Sequence, residues 1–214
     1  MGVCSDLLEL LVNAMTDKTA KATGAGRAGV DQILFIQGGG EGTHDEWDNK
    51  LVASLQRGLG QGCEMRYPRM PAEDDPNFAT WSAAIGREIA RLDTGAIVVG
   101  HSIGGTVLIH TLASQPQLLQ GIAAICLIAA PFVGDGGWPS EEVTSGPGWA
   151  RPLMDATVYL YQGDADETTP MTHADLYLKA MPHARLRRLK GRDHQLGDDL
   201  SEVAQDITKA RKPA

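Results

Sequence analysis

At 214 residues, with 43% hydrophobic and 21% charged residues, the chain is long enough for one sizeable core and short for two. Its 19 Lys and Arg against 27 Asp and Glu leave a formal net charge of −8, so the average surface repels nucleic acid and anionic membranes. No apolar run approaches the length of a membrane span, and the N-terminus lacks the basic start and long apolar core of a signal peptide. The 3 cysteines (Cys4, Cys63 and Cys126) are odd in number and far apart with no CxxC pair, which suits a reducing compartment and a cytoplasmic location. Cys126 sits in an apolar run and reads as an inert core thiol. Met1-Gly2 could open a myristoylation pattern, but that pattern needs Ser or Thr where the chain has Asp6.

In chain order, Asp6 followed by Glu9 opens a predicted helix over 7–15, and 19–29 reads as an Ala/Gly connector. Residues 1–28 are therefore read as an extension and 29–214 as the domain proper. The domain opens with an apolar strand over 31–36 that runs into Gln37-Gly38-Gly39-Gly40-Glu41-Gly42. Trp47, Leu51, Leu55 and Leu59 are spaced for a helix over 45–59. A short strand over 63–67, an acidic loop and a helix over 78–92 follow. Ala96-Ile97-Val98-Val99 suits a buried parallel strand, and the apolar spacing after Gly105 fits a helix that Pro116 closes. Then come a strand over 121–130 and a Gly/Pro-rich stretch over 132–152 that holds Trp138 and Trp149. After it a strand over 156–161, a helix over 170–181, a strand over 184–189 and a helix over 200–209 complete the chain. Arginines interleaved with Leu186 and Leu189 read as one solvated face of the last strand rather than a basic patch. Strands alternating with helices at this rhythm predict a mainly parallel sheet of about six strands, covered on both faces.

Gly100-His101-Ser102-Ile103-Gly104, between a strand and a helix, is the pattern of a nucleophile elbow. A serine on so sharp a turn takes a strained backbone with its hydroxyl pushed above the sheet. Side chains two positions either side would collide, so glycine fits there. A serine hydroxyl needs a base, and the base needs a third group to hold it. Both partners belong on loops at the carboxyl ends of strands. Asp164, Asp166 and Glu167 follow the strand ending at Tyr161, and Asp135 follows the strand before it, so the acid has four candidates. Of the 6 histidines, His110 and His173 fall on predicted helices and His183 precedes a strand. His101 adjoins the serine with its side chain aimed elsewhere. His194, in the loop after the last strand, is the base by position.

From residue 31 onward the chain resembles the α/β-hydrolase superfamily. Gly163-Asp164-Ala165-Asp166-Glu167-Thr168-Thr169-Pro170 is similar to its Gly-x-x-Asp-x-x-Val-Pro acid loop, with Thr169 in place of Val, which puts the acid on Asp166. Gly191-Arg192-Asp193-His194 is similar to its Gly-x-x-His loop. The compact size, Gly38-Gly39-Gly40, His44 and Trp47 are also similar to small serine hydrolases related to retinoblastoma-binding protein nine. The resemblance implies a single-domain α/β-hydrolase fold. Its six-stranded, mostly parallel sheet would have order 2-1-3-4-5-6, helices on both faces and a short lid over about 132–152. It implies a serine hydrolase that cleaves a small carboxylic ester or similar acyl compound through an acyl-enzyme formed by Ser102, His194 and Asp166. The oxyanion would be held by the N–H of Ile103 and one from the glycine run, Gly39 first and Gly40 second. Gln37 stands where lipases and esterases have His. Trp138 or Trp149 is expected to line the acyl pocket, with an anchor packing the loop down as the rival role.

No cofactor or metal is expected, since the chain has no HExxH and no His/Cys cluster, and the glycine run lacks the Lys-Ser/Thr of a phosphate loop. The expected partner is a small acyl substrate, with neither nucleic acid nor membrane. Thioesterase, amidase, peptidase and lyase activities could use the same three residues. A non-catalytic binding module on the same fold, or an interaction protein using the 7–15 helix, would be of another class.

Overall fold

The computed structural model describes residues 31–211. The expected helix over 7–15 and the connector after it lie outside the described residues. Six strands form one sheet in the order β2-β1-β3-β4-β5-β6, every neighbouring pair parallel. They are β1 (Asp31–Ile36), β2 (Cys63–Arg66), β3 (Ala96–His101), β4 (Ile122–Ile128), β5 (Val158–Gly163) and β6 (Arg185–Leu189). The helices are α1 (Asp48–Leu59), α2 (Phe78–Ile89), α3 (Ser102–Ser114), α4 (Met171–Ala180) and α5 (Ser201–Arg211).

The near-continuous apolar runs of the central strands follow from burial on both faces. Ile33, Phe35, Ile97 and Val99 point to one face and pack with Leu51 and Leu55 of α1 and Val203 and Ile207 of α5. Leu34, Ile36 and Val98 point to the other and pack with Trp81 of α2, Leu108 and Leu112 of α3, and Tyr177 of α4. Each such fully buried aliphatic or aromatic side chain contributes about 1.5–3 kcal/mol. Chain order reverses between β1 and β3, and the loops leaving the carboxyl ends of these two strands therefore diverge around a crevice.

Local departures from the sequence reading have physical causes. The helix expected over 45–59 starts at Asp48, after a π-helical turn over Thr43–Trp47 entered through Gly42 at φ 76°. Trp47 is therefore 50% exposed and Asp48 takes the buried position above Leu51 and Leu55. The strand expected over 156–161 runs instead over Val158–Gly163, which carries Gln162 into the buried end of the sheet. On β6 the arginines do not share one solvated face. Arg187 pairs with Asp206 of α5, while Arg188 pairs with Asp175 of α4 on the other side of the strand. An edge strand carrying paired charges resists adding a further strand. Among the described residues no helix is long and apolar enough to cross a membrane.

The turn from β3 into α3 leaves almost no room for side chains. Ser102 has φ 50°, and a Cβ on Gly100 would lie 2.6 Å from the Cα of Gly105. A Cβ on Gly104 would overlap the carbonyl of Gln37 at the end of β1, backbone that cannot swing aside. Gly104→Ala is therefore expected to lower unfolding free energy by about 2–4 kcal/mol. Gly62→Ala, where a Cβ meets nothing within 4 Å, should change it by less than about 1 kcal/mol. Urea melts of the two variants beside wild type check this, and equal losses would contradict it.

Candidate active site

Ser102 is the first residue of α3, held in the left-handed region with its side chain above the carboxyl edge of the sheet. Its Oγ lies 3.0 Å from Nε2 of His194, and Nδ1 of the same ring lies 2.9 Å from Oδ2 of Asp166. The three side chains come from the ends of β3, β6 and β5, as parallel strands with right-handed crossovers bring them. In this line Nδ1 donates to the carboxylate, leaving Nε2 to accept from the serine hydroxyl.

Asp166 is buried and served only by donors. Besides His194, its oxygens accept from the Gln162 side chain at 2.9 Å and from the N–H groups of Thr168 and Thr169 at 2.9 and 2.8 Å. Burial opposes its charge, but the bonds from His194, Thr169 and Gln162 outweigh it and hold the carboxyl below the usual range. The other acid candidates are placed differently. Asp164 accepts the N–H of Gly191 at 2.5 Å, tying the β5 loop to the β6 loop, and Glu167 and Asp135 are exposed.

The glycine run borders the serine. A Cβ on Gly38 would sit 3.2 Å from the Cβ of Ser102, and one on Gly39 would meet Ile103 Cγ2 at 2.9 Å and Pro76 Cγ at 2.7 Å. Within the run Gly38 donates its N–H to Asp48 at 2.7 Å, and Gly40 donates to the carbonyl of Glu73 at 2.5 Å. Gly39 is thus the glycine of the run whose N–H has no acceptor among the described residues. The N–H of Ile103 lies in the first turn of α3, where no intrahelical acceptor exists. Gln37, fully buried, bonds the Glu73 carboxylate and accepts from Met70 N–H at 3.0 Å. An amide that both donates and accepts clamps the glycine loop to the loop after β2.

The two tryptophans differ. Trp149 stacks on His110 at 4.4 Å and meets Phe132 and Tyr177 edge-on, so its ring anchors the 132–152 segment to the core. Burial pushes that His110 down to about 4, which keeps the stacked ring neutral. Trp138 is 36% exposed and meets the edge of His173, whose Nδ1 accepts the N–H of Phe132 at 2.8 Å.

Sequence reasoning missed a second Asp–His pair. His101 lies with its Nδ1 2.9 Å from the carboxylate of Asp48 and its Nε2 3.1 Å from the carbonyl of His194. A signal was available, because Asp48, Leu51 and Leu55 stand at i, i+3 and i+7 and put a carboxylate on the apolar stripe of a helix. Glu73 was missed too, as an ordinary member of an acidic loop. Among the described residues no group of His, Cys, Asp and Glu side chains is arranged to hold a metal ion.

Residues 33–208 match the model of a family described as the alpha/beta hydrolase family. No curated protein matches the sequence significantly. Among solved structures, the chain is similar to the ydeN gene product from B. subtilis, with a TM-score of 0.64 at 16% identity over 84% of this chain and 98% of that one. It is similar to Est1E from Butyrivibrio proteoclasticus, with a TM-score of 0.63 at 16% identity over 87% and 88%. The esterase domain of a Rhodothermus marinus protein gives a TM-score of 0.58 at 20% identity over 83% of each chain.

The depressed Asp166 carboxyl has a consequence for stability. A group whose folded value lies below its unfolded value near 4 adds stability that is complete above that pH and is lost as pH falls through the folded value. The destabilisation caused by Asp166→Asn, measured by urea unfolding, should be full at pH 6 and shrink below about pH 4. A difference that stays constant down to pH 2 would contradict the arrangement.

Proposed function

The chain belongs to the alpha/beta hydrolase family, and on that premise we propose that it is a serine hydrolase cleaving a small carboxylic ester or similar acyl compound. The observation that carries this reading is the unbroken line from Ser102 Oγ through His194 to Asp166, at 3.0 and 2.9 Å. His194 takes the serine proton at Nε2 as Oγ attacks the acyl carbon, and the carbonyl oxygen becomes an oxyanion. The oxyanion is held by the N–H groups of Gly39 and Ile103, the first left without an acceptor by its neighbours' bonds. Each such donor accounts for about 10²–10³ in kcat in serine hydrolases. Asp166 keeps the imidazole in the required tautomer and stabilises the imidazolium. His194 then returns the proton to the leaving alkoxide, the alcohol departs, and water, deprotonated by the same ring, releases the acid from Ser102.

In this reading the 132–152 segment is a short lid over the crevice. Trp149 holds it down, and Trp138, the more exposed of the two rings, is the wall offered to an acyl group. Gly39 is preferred over Gly40 because the latter's N–H is already donated to Glu73. The reaction draws on the chain's own residues and a small acyl substrate. Net charge of −8 fits an enzyme that meets neither nucleic acid nor anionic membrane. Burial pushes the Cys126 thiol up to about 12 and makes it an inert core thiol, while a cytoplasmic location rests on the cysteine usage alone.

Intact-mass measurement after treatment with a small fluorophosphonate tests the proposal. Wild type should gain one adduct, Ser102→Ala and His194→Ala none, and Asp166→Asn should react about a thousandfold more slowly. A folded wild type that stays unmodified, or an adduct that survives Ser102→Ala, would sink it. Ester, thioester and amide substrates compared on unlabelled wild type, with the fluorophosphonate-treated protein as the inactive control, then separate the esterase reading from its thioesterase and amidase rivals.

A further inference from the structure

His101 precedes the serine, yet its side chain turns away from it into the core and is 1% exposed. Both ring nitrogens face acceptors. Nε2 lies 3.1 Å from the carbonyl oxygen of His194, which can only accept, so Nε2 carries a proton. Nδ1 lies 2.9 Å from Asp48, itself fully buried. Every other hydrogen bond that the Asp48 side chain makes among the described residues is with a donor: the N–H of Gly38 at 2.7 Å and the side-chain amide of Gln195 at 3.4 Å. A carboxyl surrounded by donors keeps its negative charge, and Nδ1 is then a donor as well.

We infer that His101 is a permanent buried imidazolium paired with Asp48, and that the pair is a positioning device for the hydrolysis proposed above. The pair reaches three segments at once. Gly38 precedes the glycine assigned to the oxyanion, His101 is joined by a peptide bond to Ser102, and the His194 carbonyl and Gln195 belong to the base loop. A neutral His101 has one N–H and could hold either the carboxylate or the carbonyl. Only the doubly protonated ring holds both. Beneath the reacting groups it fixes the distance between nucleophile, base and oxyanion loop, a geometry in which small displacements cost large factors in rate.

The surroundings agree with a charged pair. Burial opposes the charge on His101, but the charge of Asp48 and its hydrogen bond override it and raise the ring above the ordinary imidazole range. Burial opposes Asp48 in the same way, and His101 with the Gly38 N–H holds that carboxyl low. The other titratable groups facing the pair are His194, whose ring centre is 5.0 Å away, Asp166 behind it and Tyr67 from the loop after β2.

Nitrogen NMR of protein labelled at its 6 histidines reads the charge directly. At pH 8, above the ordinary imidazole value near 6.5, the ring assigned to His101 through its loss in His101→Gln should show two protonated nitrogens. In Asp48→Asn the ring should become singly protonated. Modification of Ser102 by the fluorophosphonate should slow about ten- to a hundredfold, at an unchanged half-saturating reagent concentration. A singly protonated His101 in wild type overturns the charge assignment. An undiminished labelling rate in a cooperatively folding Asp48→Asn overturns the positioning role. Should Asp48→Asn fail to fold, His101→Gln, which keeps a donor without the charge, takes its place in the labelling arm. The inference rests on the hydrolase reading only for its rate arm. An unreactive wild type would remove that reading and the positioning role with it, while the nitrogen signature still decides the charge.

Discussion

The close approach of three backbone segments at Gly104 is the constraint on which the rest of the site depends. Here the first turn of α3 rests against the Gln37 carbonyl at the end of β1, and Gly100 against Gly105, with no room for a Cβ at Gly100, Gly104 or Gly105. The same contact that strains Ser102 into the left-handed region brings the glycine loop beside its side chain. Strain of this kind costs about 1–3 kcal/mol and persists only where surrounding structure over-determines it. Two side-chain arrangements do so: buried Gln37 with the loop after β2 on one side, and the buried pair Asp48 and His101 on the other.

Much of this was legible because the signals are local. Six strand signals, the central ones apolar, alternate with helical periods as a parallel sheet requires, and Gly-x-Ser-x-Gly between a strand and a helix marks where the backbone turns. The loops holding Asp166 and His194 are also local signatures, and the structure brings both residues onto a line with Ser102. What the pattern left open was which register is buried, since Trp47 and Asp48 both keep helical spacing with Leu51 and Leu55. Helical spacing put Trp47 on the apolar stripe, but the π-helical turn at Thr43–Trp47 shifts the register and gives that place to Asp48. No propensity rule anticipates that a carboxylate is preferred to an indole in a core. The preference comes from donors 10 and 53 residues away in sequence. Trp138 and Trp149 were indistinguishable for the same reason, because the difference lies in His110, on a helix distant in sequence.

Buried ion pairs are weak sources of stability, since desolvation consumes most of what the attraction supplies. Asp48 and His101 are therefore poorly explained as a stabilising contact, and an apolar pair of similar volume would fill the space at lower cost. What such a pair could not do is bond Gly38, Gln195 and the His194 carbonyl at once. Directionality distinguishes a hydrogen-bonded pair from packing, and directionality is what the oxyanion and base loops of the proposed hydrolysis require.

The site thus contains two Asp–His pairs with nearly equal spacing, 2.9 Å in each, and opposite assignments. Their difference lies at the far nitrogen of each ring. On His194 that nitrogen faces a hydroxyl, which can surrender a proton, and the side chain retains access to solvent. On His101 it faces a carbonyl, which has none to give, and the ring is sealed from water. In the proposed hydrolysis a proton enters and leaves the first pair in each turnover. In the second it faces only a carbonyl, and the inferred charge would stay with the geometry it holds. The same two residue types serve as a reacting pair or as a clasp according to one acceptor and the depth of burial.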